Sequence, residues 1–308
     1  MNFAMIGAAG YIAPRHMKAI KEIDGNLVTS YDLFDSVGIL DTYFPNTTFY
    51  TEFEKFYIDL MNKRNTSDQI KYVTICSPNY LHHIHSELAM NAGCDVICEK
   101  PICLTYEQIR TLKYKEAELG HRVFCILQLR LHEEVLKLRQ QVLQDKCDTF
   151  YNVDLEYITS RGSWYLASWK NDIRKSGGIM QNIGIHFFDM LIFVFGAVID
   201  KKIFYRSDKT AQGFLHLEKA KVRWTLSVDE KFLPVSSDAR TFRNISINGR
   251  NFEMSKGFAD LHMKSYQEIL VGRGFNLDDA LPSVKLTEEL KMLELVEPAS
   301  SETLKRIS

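Results

Sequence analysis

Short apolar runs alternate with amphipathic stretches along the first 128 residues, and beyond that point the pattern changes. Residues 3–6, 27–31, 72–76, 96–98 and 123–127 are brief apolar runs that predict buried strands. Between them, residues 12–23, 53–61, 83–92 and 106–118 carry apolar side chains three and four apart, which predicts helices. Thr105 followed by Gln108 has the spacing of a capping box opening the last of these. This alternation of strand and helix builds βαβ units on a parallel sheet. After Gln128 a polar helix is expected at 133–144. It is followed by runs at 151–159, 202–205, 213–217, 222–228 and 243–247 that suit an antiparallel sheet with one covered face. Helices at 260–271 and 277–296 close the chain. The fold class is therefore α/β, with a first domain over residues 1–129 and an α+β domain, with a mostly antiparallel sheet, over 130–308.

The composition adds limits. A chain of 308 residues with 45% hydrophobic content has enough apolar mass for one large or two medium domains. Lysine plus arginine (38) nearly balance aspartate plus glutamate (39), so no overall field favours nucleic acid or an anionic membrane, and any phosphate must be held locally. The amino terminus enters a glycine turn early and lacks the basic and long apolar regions of a signal peptide, and no uninterrupted membrane span is expected. The six cysteines (76, 94, 98, 103, 125 and 147) form no CxxC pair and read as reduced thiols of a cytosolic protein.

Four segments carry candidate chemistry. The first, IGAAGYIAPRH from Ile6 to His16, lies between the first strand and the first helix. Glycine there lets the backbone approach a pyrophosphate at a helix amino terminus, although Gly7 and Gly10 are three apart and Ala13 takes the last position of the usual pattern. Asp32 ends the second strand at about the spacing of an acidic residue that binds a ribose diol and repels a 2′-phosphate, which favours NAD over NADP. A solvated loop aspartate is the alternative, and Asp35 could share the role. The second segment, CSPNYLHHIHSEL, ends the third predicted strand. Its histidines 82, 83 and 85 lack a recognisable set of metal-ligand partners, so Ser77-Pro78-Asn79 reads as a rigid turn walling a cofactor groove, with no metal expected.

The third segment, CDVICEKP, ends a core strand on Glu99-Lys100-Pro101, at the strand end where open α/β sheets bind ligands. Lys100 is either a surface residue at a strand tip or a cation aimed into a site. In the fourth, RKSGGIMQNIGIHFFDML, Asn182, His186 and Asp189 share one face at helical spacing, and His186 is either a core histidine or a proton acceptor.

In order and spacing, the glycine turn, SPNYLH, AGCDVICEKP and SGGIMQNIGIHFFD resemble the Gfo/Idh/MocA oxidoreductase family over nearly the whole chain. GAAGYIAPRHMKAI, LQLRLH, YITSRGSWYLASWK, RWTLSVD and DLHMKSYQEILVGRGF resemble its bacterial UDP-N-acetylglucosaminuronate 3-dehydrogenase branch. The resemblance implies an NAD-binding Rossmann domain followed by an open-faced sheet domain for substrate binding and oligomerisation, as a cytoplasmic dimer or tetramer. It implies oxidation of the C3 hydroxyl of a UDP-sugar for lipopolysaccharide and related surface polysaccharides. Lys100 and His186 match the family's catalytic lysine and histidine. Asn182 stands where an aspartate is more usual, which removes an aspartate–histidine couple. The implied cofactor contacts are Gly7, Gly10, Tyr11, Ile12, Asp32, Ser77, Asn79, His82, Glu99 and Gln128, and the implied substrate contacts are Lys100, Arg161, Tyr165, Asn182 and His186. A uronate carboxylate calls for an arginine. Arg161, flanked by glycine and aromatic residues, is preferred to Arg174 and Arg130. Alternatives are a dehydrogenase of neutral UDP-N-acetylglucosamine or of a free sugar or cyclitol, and a non-catalytic nucleotide-sensing regulator on the same fold.

Overall fold

The computed structural model describes residues 1–234, 240–254, 257–299 and 302. The first part runs β1 (Asn2–Ile6), α1 (Ala13–Glu22), β2 (Asn26–Tyr31), α2 (Ile39–Tyr43), β3 (Thr48–Tyr50), α3 (Phe53–Lys63), β4 (Tyr72–Ile75), α4 (His82–Asn91), β5 (Asp95–Cys98), α5 (Tyr106–Leu119) and β6 (Val123–Cys125). There follow α6 (Glu133–Gln144), β7 (Tyr151–Thr159), α7 (Ser163–Ala167), α8 (Ile173–Ser176), α9 (Ile185–Phe195), β8 (Val198–Arg206), β9 (Thr210–Leu217), β10 (Ala220–Ser227), β11 (Thr241–Ile247) and β12 (Arg250–Asn251). Two helices finish the chain, α10 (Leu261–Leu270) and α11 (Leu277–Met292). Every run predicted from periodicity is present. The additions are α2, β3, α7, α8 and β12, of two to five residues and too short to display a period, and the eleven-residue α9, whose sequence is apolar nearly all round.

The chain forms two compact units, one of Met1–Gln128 with Ala259–Leu281, the other of Leu129–Phe258 with the chain from Pro282 onward. A single cut at residue 129 thus omits a return: α10, expected in the second domain, packs with α1 in the first unit. Tyr266 and Ile269 of α10 complete the core built from Phe3, Met5, Met17, Ile20 and Ile97.

In the first unit the sheet order is β3-β2-β1-β4-β5-β6, all parallel. That order reverses direction between β1 and β4, the switch point at which doubly wound sheets bind dinucleotides. β4 and β5 are buried at every position, which is why their sequences are continuous apolar runs without alternation. The capping box is formed as expected: Gln108 N–H donates to Thr105 Oγ1 at 3.3 Å, and Thr105 N–H donates back to Gln108 Oε1 at 3.3 Å.

The second unit's sheet, β12-β11-β7-β10-β9-β8, is antiparallel except between β7 and β10. One face packs on α9, with Phe188 against Trp224 at 5.1 Å and Phe187 against Tyr157 at 4.9 Å. The other is polar, with Arg223 donating to Asp154 at 2.5 Å and Asn244 to Glu156 at 2.9 Å. The helical run Ile173–Phe195 is long and apolar enough to cross a membrane, which corrects the expectation that no such span exists. It is the core element of its unit, with 72% of its apolar window buried against protein. None of the six cysteines forms a disulfide among the described residues; five are buried and Cys147 is exposed.

Candidate active site

The first unit presents a glycine cradle at the end of β1. Gly7 has φ of 89°, and a Cβ there would lie 2.6 Å from the carbonyl carbon of Cys76 at the end of β4. Only glycine fits, and the backbone is thereby left bare for a ligand. α1 opens with Pro14 in its first turn and no side-chain cap, and its start is tied to the glycine turn: Ala13 N–H donates to the Gly10 carbonyl at 3.0 Å and Arg15 N–H to that of Ile12 at 3.0 Å. Asp32 is tied to this turn: Ala9 N–H donates to its Oδ2 at 2.9 Å and Phe34 N–H to its Oδ1 at 3.0 Å. Asp35 is exposed and lies outside this link. Tyr11 is exposed, Ile12 is half-buried, and Gln128 has its Oε1 buried with no hydrogen-bond partner among the described residues. A bare glycine turn beside an anchored carboxylate, in a unit with an orphaned buried acceptor, fits a nicotinamide dinucleotide.

The SPN turn is pinned from within. His82 has Nε2 2.7 Å from the Ser77 carbonyl oxygen and Nδ1 2.7 Å from that of Pro101, so this buried ring staples the SPN turn to the EKP turn. His85 Nδ1 meets Ser77 Oγ at 2.9 Å, and burial pushes its pKa down to about 4. Asn79 is buried beside them.

Glu99 is buried, and Lys100, with a cis bond to Pro101, is half-buried beside it. His16 and His262 both donate through Nε2 to Glu99 Oε1, at 2.9 and 3.0 Å, and Lys100 N–H donates to Oε2 at 3.2 Å. Burial pushes the Glu99 carboxyl up, but the two imidazole hydrogen bonds outweigh it and hold the group well below the usual carboxylate range. Burial also pushes His16 down, with the Glu99 bond opposing, so His16 is neutral with its proton on Nε2. Its Nδ1 then accepts from the Tyr266 hydroxyl at 2.9 Å, and that hydroxyl accepts from Thr74 at 2.9 Å. His16, Glu99 and His262 are a donor set that a divalent ion would accept. However, ligands about 2.1 Å from a tetrahedral metal stand roughly 3.4 Å apart, so these shorter contacts are hydrogen bonds.

The second unit holds the other candidates. Residues Met180–Gly184 form one π-type turn ahead of α9, a feature that recurs at functional sites. Gly184 allows it: a Cβ there would lie 2.6 Å from Leu226 Cδ1. Asn182 in this turn donates to the Tyr165 hydroxyl at 3.2 Å, and His186 is half-buried at the start of α9. Asp189 is not a companion of these two in chemistry, because both its oxygens accept from buried Arg130, at 2.9 and 2.8 Å. Arg174 is likewise engaged, with both oxygens of Asp172 at 3.1 and 3.0 Å. Of the three arginines, Arg161 alone forms no ion pair among the described residues.

Sequence reasoning missed His16 and His262 as partners of Glu99, and Tyr266 as the partner of His16. His16 and His262 both fall in quoted segments, but 163 positions separate Glu99 from His262, and nothing local links them.

The model of an oxidoreductase family with an NAD-binding Rossmann fold matches residues 1–126, and that of the same family's C-terminal alpha/beta domain matches residues 139–237. The chain belongs to the Gfo/Idh/MocA oxidoreductase family. As a Gfo/Idh/MocA protein it is an NAD-binding member, its glycine cradle lying within the matched Rossmann region. It is 42% identical to the WlbA (WbpB) dehydrogenase from Thermus thermophilus, solved in complex with NAD and UDP-GlcNAcA, with 98% of each chain covered and a TM-score of 0.94. The WlbA dehydrogenase from Bordetella pertussis, in complex with NADH and UDP-GlcNAcA, is 17% identical with a TM-score of 0.77 over 94% of each chain, a likeness of fold. D-glucoside 3-dehydrogenase of Escherichia coli is 32% identical over 124 residues, 40% of this chain and 35% of that protein, so the chain spans about a third of this curated relative.

Proposed function

We propose that the protein oxidises the C3 hydroxyl of UDP-N-acetyl-glucosaminuronic acid (UDP-GlcNAcA) to the 3-keto sugar. The observation that carries this reading is the 42% identity, over 98% of both chains, to a dehydrogenase that binds NAD and UDP-GlcNAcA.

Gly7, Gly10, Tyr11 and Ile12 cradle the pyrophosphate, Asp32 takes the ribose hydroxyls, and Ser77, Asn79, Glu99 and Gln128 line the nicotinamide side, with His82 holding their turns together. NAD, when bound, accepts the hydride that leaves C3. Lys100 holds the alkoxide that develops at O3, and His186 takes the hydroxyl proton. Asn182 and Tyr165 orient the sugar, and Arg161 reads the carboxylate. In the same reading the protein works in the cytoplasm as a homo-oligomer, dimer or tetramer, and feeds 2,3-diacetamido sugars to lipopolysaccharide synthesis.

The test is the specificity constant for UDP-GlcNAcA against neutral UDP-N-acetylglucosamine, followed through NADH absorbance. The neutral sugar leaves the reading cation unpaired and should react at least a hundredfold less efficiently, about 2.7 kcal/mol in transition-state terms. Comparable constants would sink the acidic substrate while keeping a sugar dehydrogenase.

A further inference from the structure

The loop after β7 carries two cations, Arg161 and Lys170, that no carboxylate neutralises among the described residues. Its start is fixed by backbone bonds: Ser160 N–H donates to the Arg240 carbonyl at 2.8 Å and Arg161 N–H to that of Val228 at 3.3 Å. Lys170 then folds back between two indoles, its Nζ 4.4 Å from the Trp169 ring centre and 5.6 Å from that of Trp164. Burial, and then the charge of Arg161, push the Lys170 ammonium below its ordinary range.

Among the described residues no carboxylate pairs with either. The nearest acid in sequence, Asp172, has both oxygens on Arg174. Cation–π contact compensates a half-buried ammonium only in part. A half-buried ammonium with no carboxylate partner among the described residues is disposed to accept an anion. The cluster also reaches the sugar-binding residues already assigned: Tyr165, adjacent to Trp164, is 4% exposed and accepts the Asn182 hydrogen bond.

We propose that Lys170 is a second anion-binding residue of the substrate subsite, acting with Arg161 on an oxyanion of an acidic nucleotide sugar, with Trp164 as the aromatic wall. This rests on the nucleotide-sugar reading above and adds to it a specificity-determining residue. Two cations suit either the diphosphate or the uronate, since both present oxyanions to charge-assisted hydrogen bonds.

The site carries its own reporter. The chain has three tryptophans, two of them flanking Lys170 and the third, Trp224, buried in the sheet core. UDP, UDP-N-acetylglucosamine and UDP-GlcNAcA are titrated separately into the full chain with NAD present, by intrinsic fluorescence and calorimetry. Binding should quench the fluorescence, and Trp164→Phe should diminish the quench. Lys170→Met should weaken binding roughly ten- to a hundredfold, the usual worth of a hydrogen bond to a charged group, and Lys170→Arg should retain most of it. An unchanged melting temperature for both variants excludes a folding defect.

Weakening confined to UDP-GlcNAcA assigns Lys170 to the carboxylate, and equal weakening for all three assigns it to the diphosphate; either supports the proposal. If wild type binds UDP-GlcNAcA and Lys170→Met binds it equally well, the proposal is overturned and the nucleotide-sugar reading stands. If wild type binds none of the three, both fall.

Discussion

Glu99 in the first unit is a buried charge and Lys170 in the second a half-buried one, and they are completed in opposite ways. Glu99 has each oxygen satisfied from inside, by His16 and His262 on one and the Lys100 backbone on the other, with Tyr266 and Thr74 extending the chain of bonds behind His16. Lys170 has two indole rings near it, feels the charge of Arg161, and meets no carboxylate among the described residues. A network closed on itself holds a geometry before any ligand comes. An open one stores binding energy for a ligand, at a cost to the free protein. On the function proposed above, the first unit is a preorganised frame for Lys100 and the second is the part that selects the substrate.

The largest expected effect breaks the closed network. Glu99→Leu strands two buried imidazoles and removes the acceptor for the Lys100 N–H, and should cost about 3 to 5 kcal/mol of stability by denaturant unfolding. Lys170→Met should cost no more than about 1 kcal/mol in the same measurement, since it removes one cation–π contact and relieves a like-charge repulsion. Equal losses would erase the distinction. Next comes chemistry. Lys100→Met should slow turnover by about 2.7 to 4 kcal/mol with NAD binding retained, as expected for loss of one preorganised donor. His186→Asn should slow it roughly 10²- to 10⁴-fold. Near-normal turnover in either variant would remove that residue's role.

Much of the frame was legible in the sequence because its parts are contiguous. Gly7 through Ile12, Asp32 at a strand end, and Glu99-Lys100 after an apolar run each declare themselves within a dozen residues. What closes the frame did not, since the partners of Glu99 lie 83 and 163 positions away on helices whose periodicity says only that they are helices. The same blindness hid the return of α10 to the first unit. Sequence preferred Arg161 on its glycine and aromatic neighbours alone; the carboxylate that occupies Arg130 is 59 positions off, and only the fold reveals that pairing. The π-type turn at Met180–Gly184 was also unreadable: one extra residue in a turn leaves no periodic signature over five positions.

A smaller effect probes how little charge the first unit tolerates. His85 is buried against Ser77 and Phe53 with a pKa of about 4, below its ordinary 6.5. Between those values the unfolded chain holds a proton that the folded one refuses. The stability this neutral ring contributes is thus complete above pH 6.5 and falls as pH drops toward 4, by about 1.4 kcal/mol per pH unit. His85→Gln should flatten the acid limb of the stability profile by one proton. An unchanged slope would show that His85 titrates in the fold as it does in water.

Asp32 stands between the two extremes, and it supplies the smallest and sharpest test. Its oxygens each accept one backbone N–H, from Ala9 and Phe34, which fixes its direction without exhausting its lone pairs. It is half-buried and pairs with no cation among the described residues, while Leu33 and Phe34 beside it are exposed and apolar, offering nothing to a 2′-phosphate. A ribose diol would complete this carboxylate as a ligand oxyanion completes Lys170. A 2′-phosphate would set negative charge against it in a partly desolvated groove. NADPH should therefore bind at least tenfold more weakly than NADH, about 1.4 kcal/mol or more, and Asp32→Ser should narrow that ratio chiefly by weakening NADH. Equal affinities in the wild type would mean that the two backbone bonds already satisfy Asp32, moving it to the closed side of the comparison.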